Sequence, residues 1–284
     1  MAASAVEPTS GAREAPRDSR RLGLTIAFDG TGYAGWQIQK SGLGVQQRIE
    51  EALARLFPSR PQVHGSSRTD AGVHALGLVA HTDIPRSELR MPPAKLRLAL
   101  NAHLPEDIRV VSVRRVPAAF HARFSALGKQ YRYFVWNHPA MDPLRRTQAW
   151  HVPRALDLAA MQQAAAAFVG RQDFRAFTAN PGYPRASTIR SLGVCRVSRR
   201  GPLFTFVIEA DGFLYKMCRG IVGTLVQVGL GRIPASDISG ILATADRRAA
   251  GMTAPAHGLV LWRVNYPPLR TLSQSMADDS AESE

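Results

Sequence analysis

The 284-residue sequence is poor in cysteine and lysine and has no long apolar run. Its two cysteines, Cys195 and Cys218, are too few for a disulfide scaffold or a cysteine-rich zinc site, and they are interpreted as reduced, intracellular thiols. No run of 18 apolar residues occurs, which argues against a membrane span. The first 21 residues lack the apolar core of a secretion signal. We therefore expect a cytoplasmic protein without membrane association.

Several catalytic signatures are missing as well. The sequence has no Gly-x-Ser-x-Gly nucleophile elbow, no Walker loop and no dinucleotide fingerprint. Metal-ligand spacing of histidines is also absent, and the pair His74 and His81 is predicted to be structural. The glycines of 213–229 lie in an apolar helical pattern, where close packing explains them better than phosphate binding. With one prominent aspartate and no metal, carboxylate chemistry on a sugar or base is the natural class.

Positive charge is what the sequence has in excess, with 36 Lys and Arg against 22 Asp and Glu and a net charge of +14. Residues 1–21 carry +1 and residues 271–284 carry −4, which leaves +17 for residues 22–270. The chain has only four lysines, so the excess is arginine, whose planar guanidinium suits phosphate. A codon bias toward arginine would explain why arginine outnumbers lysine, but it would not explain why arginine outnumbers glutamate. A nucleic acid is the expected partner.

The apolar periodicity predicts two comparable blocks of strands and helices, at 22–118 and 119–267, between disordered tails at 1–21 and 268–284. Runs of strands joined by turns predict an α+β fold, in which antiparallel sheets form a platform and helices pack on one face. Helices are predicted at 45–57, 92–104, 155–170, 213–229 and 235–245. Strands are predicted at 22–28, 62–66, 76–82, 108–116, 129–136, 191–200, 202–210 and 259–266.

The polar turn at 65–75 is the most distinctive stretch. Asp70 precedes Ala71 and Gly72, so the backbone can bend sharply and present the carboxylate to a cleft. Arg68, two residues earlier, is near enough to hold a phosphate beside that carboxylate. The bland alternative is a surface turn in which Asp70 bonds to its own backbone. The residues of the turn leave both interpretations open.

Four segments of the chain together resemble tRNA pseudouridine synthases of the TruA family. GSSRTDAGVHALGLVAH (65–81) resembles the family's R-T-D-A-G-V-H motif. The other three segments follow in family order and are FDGTGYAGWQIQ (28–39), FHARFSALGKQYRYFVWN (120–137) and FLYKMCRGIVGTLVQVG (213–229). The resemblance covers about residues 22–266. It implies two RNP-like or ferredoxin-like halves whose antiparallel sheets form a continuous platform with a central basic cleft.

The resemblance also implies the activity and partners. Such enzymes isomerise uridine to pseudouridine in tRNA, here at about positions 38–40 of the anticodon stem-loop, without metal or cofactor. The uracil leaves C1′, rotates while bound and rejoins through C5. A homodimer that binds one tRNA with both subunits is implied too. The alternatives are a non-catalytic tRNA-binding or folding protein on the same scaffold, and a base-removing glycosylase.

By resemblance, Asp70 is the catalytic carboxylate, which either attacks C1′ or removes a proton from the sugar. Arg219 pairs with Asp70, although an arginine on an apolar helix can also snorkel to the surface. Tyr131 stacks on the target base and is a candidate for handling the C5 proton. Tyr133 shares its strand face, and only the family alignment selects Tyr131. Arg68 holds the target nucleotide flipped out of the RNA.

The remaining assignments are weaker. Lys129 either contacts phosphate or faces solvent, and His121 and Arg123 receive only a supporting or RNA-contact role. Two positions depart from the family pattern or add to it. Ser67 stands where the family often has glycine, and Cys218 lies beside the motif arginine, where a small apolar filler is expected.

Overall fold

The computed structural model describes residues 18–180, 182 and 187–268. Apart from residues 18–21 and 268, the predicted tails lie outside the described residues. Within them, the chain is a mixed α/β structure with one large, mostly antiparallel sheet and five α-helices. The helices are α1 (Val45–Leu56), α2 (Pro93–His103), α3 (Leu158–Ala166), α4 (Met217–Gly229) and α5 (Ile238–Thr244).

The ten strands of the described residues pair in one sheet. They are β1 (Ser19–Phe28), β2 (His64–Gly65), β3 (His74–Pro85), β4 (Ile108–Arg115), β5 (Gly128–Trp136), β6 (Trp150–His151), β7 (Gly170–Asp173), β8 (Ile189–Arg200), β9 (Leu203–Ala210) and β10 (Leu259–Asn265). Their order is β4-β1-β3-β10-β5-β9-β8-β7, with β2 on β3 and β6 on β5. Only β10 with β3 and β5 with β6 are parallel.

The two parts of the sheet meet at one short junction. β10 pairs with β3 through Val260 opposite His74 and Leu261 opposite Ala75. Both positions on β3 follow directly on the Asp70 turn. The topology thus brings that turn, from the first half of the chain, against strands β10 and β5 of the second half.

One continuous hydrophobic core supports both parts. Val45, Ile49 and Leu53 of α1 are buried on one stripe, as their spacing predicts. α4 is buried along almost its whole length, and a Cβ at Gly223 would lie 1.7 Å from the carbonyl oxygen of Met252. Close packing thus explains this glycine. Among the described residues no helix is long and apolar enough to cross a membrane.

Several element ends differ from the sequence prediction. β1 begins at Ser19 instead of 22, because Arg21 is buried in a double hydrogen bond to Asp83, with N–O distances of 2.8 Å. α4 begins at Met217 instead of 213, since Lys216 adopts a left-handed backbone with φ of 59°. α3 ends at Ala166, and the polar β7, which lacks apolar alternation, escaped prediction.

Candidate active site

An ion pair between Asp70 and Arg219 forms the centre of the site. Nη1 of Arg219 donates to Oδ2 of Asp70 at 2.8 Å, and the side chains are 14% and 21% exposed for Arg219 and Asp70. Nε of Arg219 donates to the Ala254 carbonyl at 2.7 Å, and the Ala254 amide donates back to the Arg219 carbonyl at 3.0 Å. The guanidinium is therefore aimed at the carboxylate and held from behind, instead of snorkelling to bulk solvent.

The Asp70 turn is shaped by the segment 28–39. The amide of Gly72, where φ is 77°, donates to the Tyr33 carbonyl at 3.3 Å. The Trp36 amide donates to the Thr69 carbonyl at 3.3 Å, and a Cβ at Gly35 would lie 2.3 Å from that same oxygen. Two backbones thus pack closely enough to require glycine.

The carboxylate of Asp70 does not stabilise its own turn. Among the described residues it accepts a hydrogen bond from Arg219 and none from the backbone of the turn, whose closing bond runs from the Val73 amide to the Asp70 carbonyl at 3.1 Å. The structure therefore excludes the Asx-type alternative that the residues of the turn had left open. The carboxylate is available for chemistry.

The histidines near the turn have structural contacts. Nδ1 of His74 accepts from the Gly30 amide at 3.0 Å, and Nε2 lies 2.8 Å from the Thr147 carbonyl, which ties the two halves together. Nδ1 of His81 accepts from the Ala122 amide at 3.2 Å, and burial lowers the pKa of His81 to about 3. The described residues contain no group of three or more His, Cys, Asp and Glu arranged to hold a metal ion.

Tyr131 and Tyr133 lie on one face of β5 but differ in their contacts. The Tyr133 hydroxyl donates to the Pro255 carbonyl at 2.8 Å, and the ring is only 1% exposed. Tyr131 packs edge-on against Phe213, with ring centroids 5.0 Å apart. Burial, together with Cys218 and the charge of Asp70, raises the pKa of Tyr131 above its usual range. Tyr133 thus anchors the loop that supports Arg219, whereas the Tyr131 phenol stays neutral beside Asp70.

The Ser67 hydroxyl is buried next to Tyr131. The Ser67 side chain is close to the Tyr131 phenol, and its Oγ makes no hydrogen bond of ordinary geometry within the described part of the chain. Thr69 Oγ1 is also buried without a partner there. Ser67, which stands where the family often has glycine, thus adds a polar atom to the site. Cys218 is buried, and burial raises the pKa of its thiol, which fits an inert filler.

The other candidate residues differ in whether their side chains are bonded to the protein or exposed. Lys129 does not extend into solvent, because its Nζ donates to the Ser66 carbonyl at 2.7 Å, and burial lowers its pKa to about 8. Arg68 is exposed, and its guanidinium makes no hydrogen bond or ion pair among the described residues. His121 shapes a turn by accepting from the Arg123 amide at 3.1 Å, while Arg123 itself is exposed.

Sequence reasoning missed the segment 250–258, which supports the site from behind. It provides the carbonyls that hold Arg219 and Tyr133. A Cβ at Gly258 would lie 2.5 Å from the Tyr133 ring, and a Cβ at Gly251 would lie 2.7 Å from the backbone of Thr224. These two glycines were the only local signal, and they were not distinguishable from ordinary loop glycines.

Comparison with known proteins gives a consistent result. The chain matches the family described as tRNA pseudouridine synthase over residues 24–125 and 164–267. It is 47% identical over 253 residues to tRNA pseudouridine synthase A of Solidesulfovibrio magneticus, covering 87% of this chain and 91% of the relative. The enzyme of that name from Methylacidiphilum infernorum is 44% identical over 245 residues, covering 86% of this chain and 95% of the relative.

A third relative, tRNA pseudouridine synthase A of Ruminiclostridium cellulolyticum, is 43% identical over 247 residues, which are 87% of this chain and the whole of that protein. One solved structure, of an unknown protein from Galdieria sulphuraria, is 14% identical and covers 75% of this chain and 93% of its own, but its TM-score of 0.20 carries no argument. The family match and the three relatives cover most of the chain, and this protein belongs to the tRNA pseudouridine synthase family.

Proposed function

We propose that this protein is an isomerase that converts uridine to pseudouridine in tRNA. The observation that carries the proposal is the ion pair of Asp70 and Arg219 beside Tyr131, in a chain of this family. A carboxylate that is held by a guanidinium and accepts no other hydrogen bond from the described residues is suited to work on the sugar of a bound nucleotide. The charge of +14 suits a polyanionic substrate.

The reaction breaks the bond between N1 of uracil and C1′ of the ribose. Asp70 either attacks C1′ or removes a proton from the sugar, and both routes need its ionised oxygen at the ribose. The uracil rotates while bound and forms a bond from C5 to C1′. The C5 proton is then lost and N1 gains a proton, so the product is an isomer of the substrate. No further reactant is consumed.

The surrounding residues have distinct roles in this proposal. Arg219 aims the carboxylate, and Tyr131, a neutral phenol next to it, stacks on the target base and handles the C5 proton. Arg68, which is exposed and makes no ion pair within the described part of the chain, enters the RNA and holds the target nucleotide flipped out. Lys129 holds the Asp70 turn through the Ser66 carbonyl.

The finer assignments belong to the same proposal. We place the target at about positions 38–40 of the anticodon stem-loop, and we assign His121 and Arg123 to RNA contacts. The two halves, 22–118 and 119–267, are inferred to be RNP-like units with helices on one face and a basic cleft between them. A cytoplasmic homodimer that binds one tRNA with both subunits completes the proposal, and light scattering that gives a monomer mass at micromolar concentration would contradict the dimer.

Tritium release from tRNA labelled at C5 of uridine tests the activity. The wild-type protein is expected to release tritium and to leave the RNA chain intact with pseudouridine in place. An abasic product would instead indicate a glycosylase. Binding of tRNA without tritium release would indicate a non-catalytic tRNA-binding or folding protein.

A further inference from the structure

The segment 120–125 contains two phenylalanines with opposite environments. Phe120 is 2% exposed and packs on Tyr266, with ring centroids 5.0 Å apart. Phe124, four residues later, is 57% exposed. Single exposed apolar side chains are common on protein surfaces, so exposure alone indicates nothing. The contacts around Phe124 and its position in the fold are what indicate a binding role.

The backbone that carries Phe124 is held on several sides. Nδ1 of His121 accepts from the amides of Arg123 and Phe124 at 3.1 and 3.3 Å. The Ala122 amide donates to His81, and the Tyr266 hydroxyl donates to the Ala122 carbonyl at 2.5 Å. An aromatic ring on such a fixed turn can bind a partner without first losing much conformational entropy.

The ring itself is only partly covered. The His121 ring lies against it, with centroids 4.4 Å apart and planes inclined by 35°. The Arg123 guanidinium carbon is 5.5 Å from the Phe124 centroid, which is a loose contact. A closed stack in the same protein, that of Arg132 on Trp262, has the corresponding distance of 3.7 Å. Phe124 therefore keeps surface on which a flat group can stack, with an exposed guanidinium next to it.

The location connects this turn to the active site. The turn leads directly into β5, whose Lys129 donates to the Ser66 carbonyl at the base of the Asp70 turn. Arg123 is close enough to Lys129 for their charges to repel. The turn is therefore connected through Lys129 to the segment that precedes Asp70.

We propose that the Phe124 ring stacks on an unpaired base of the bound RNA, and that Arg123 pairs with the phosphate next to that base. The inference rests on the proposed function, because it takes RNA as the substrate. An aromatic side chain can stack only on a base whose face is free, so the contact selects loop nucleotides over paired ones.

Binding of two RNAs, a transcribed anticodon stem-loop and a fully paired duplex of equal length, tests this contact. F124A is expected to weaken stem-loop binding about tenfold and duplex binding less than about twofold, without changing the salt dependence. F124W is expected to retain stem-loop affinity. R123Q is expected to reduce the slope of log affinity against log salt by about one on both RNAs. L98A, which removes a side chain with a similar exposure of 59% from α2, is the matched control.

Three results would overturn the stacking contact: F124A binding the stem-loop like the wild type, F124A weakening both RNAs equally, or L98A weakening the stem-loop as much as F124A. Thermal unfolding at the wild-type temperature shows that each variant is folded. The proposed function is judged separately, by tritium release from the wild type. A wild type without tritium release would reject the isomerase while the binding comparison still decides the role of Phe124.

Discussion

Arg219 donates a hydrogen bond of 2.8 Å to Asp70 across 149 residues of sequence. The aspartate lies in the turn before β3, and the arginine lies in the first turn of α4. The strands β3 and β10 meet near this point through only two residue pairs. The ion pair therefore depends on contact between the two parts of the sheet. The candidate active site lies at this junction, and neither part of the sheet contains both members of the ion pair.

Replacing Asp70 by asparagine is expected to abolish pseudouridine formation while tRNA still binds. The amide keeps the shape but cannot attack C1′ or take a proton, so turnover should fall by more than about 10³-fold. Tritium release measures turnover, and a filter-binding assay measures affinity, which should stay within about threefold. Turnover by D70N above one part in about a hundred would reject the role of Asp70.

Arg219 is expected to act on the chemical step more than on binding. In R219K the ammonium can reach either Asp70 or the Ala254 carbonyl but lacks the planar fork that reaches both. We expect kcat to fall about tenfold in R219K and about 100-fold in R219M, with KM changed less than about threefold. Initial rates of tritium release over a range of tRNA concentrations give both values. An R219M variant with kcat within twofold of the wild type would contradict the positioning role.

Tyr131 and Tyr133 offer a matched pair of hydroxyl deletions. Y131F removes the hydroxyl of Tyr131 and is expected to lower kcat about 100-fold with little change in the free energy of unfolding. Y133F leaves the Pro255 carbonyl without its donor and is expected to lower that free energy by about 1 kcal/mol, with a smaller effect on kcat. Urea unfolding and tritium release separate the two effects. The reverse pattern would show that the family alignment selected the wrong tyrosine.

Two helix glycines should respond in opposite directions. In G223A the new Cβ would lie 1.7 Å from the Met252 carbonyl oxygen, so the segment that supports Arg219 has to move. We expect G223A to lower the free energy of unfolding by at least about 2 kcal/mol and to lower kcat as well. In G240A, on α5, the new Cβ meets nothing within 4 Å, and stability should rise by about 0.5–1 kcal/mol. Urea unfolding measures the free energy of unfolding of both variants. A G223A variant as stable as the wild type would contradict the close packing.

His81 should make the protein lose stability in mild acid. Burial lowers its pKa to about 3 in the folded protein, against 6.5 when it is solvated. Between these values the unfolded chain binds the extra proton, so the free energy of unfolding decreases as the pH falls through this window. From pH 7 to pH 5 this group alone should cost about 2 kcal/mol. H81Q keeps an acceptor for the Ala122 amide, and urea unfolding of H81Q should show a loss smaller by that amount.

The local patterns of the sequence were informative wherever structure depends on near neighbours. The stripe of Val45, Ile49 and Leu53 predicted α1, and the hairpin of β8 and β9 followed from alternation around Gly201. The ends of elements were less predictable, because distant contacts set them. β1 extends to Ser19 because Arg21 finds Asp83 on β3, and no local pattern around Arg21 indicates that partner.

The sequence by itself predicted a nucleic acid as the partner from its excess of arginine, and it predicted carboxylate chemistry at Asp70 through resemblance to the family. Its motifs also identified the family. The tertiary structure alone decided how the side chains are used. It pairs the Asp70 carboxylate with Arg219 and not with the backbone of its own turn, and it directs Lys129 to the Ser66 carbonyl. It also gives Tyr133 a hydrogen bond to Pro255, whereas Tyr131 packs against Phe213. The physical reason is that each of these outcomes depends on a partner dozens to more than a hundred residues away, which local periodicity does not encode.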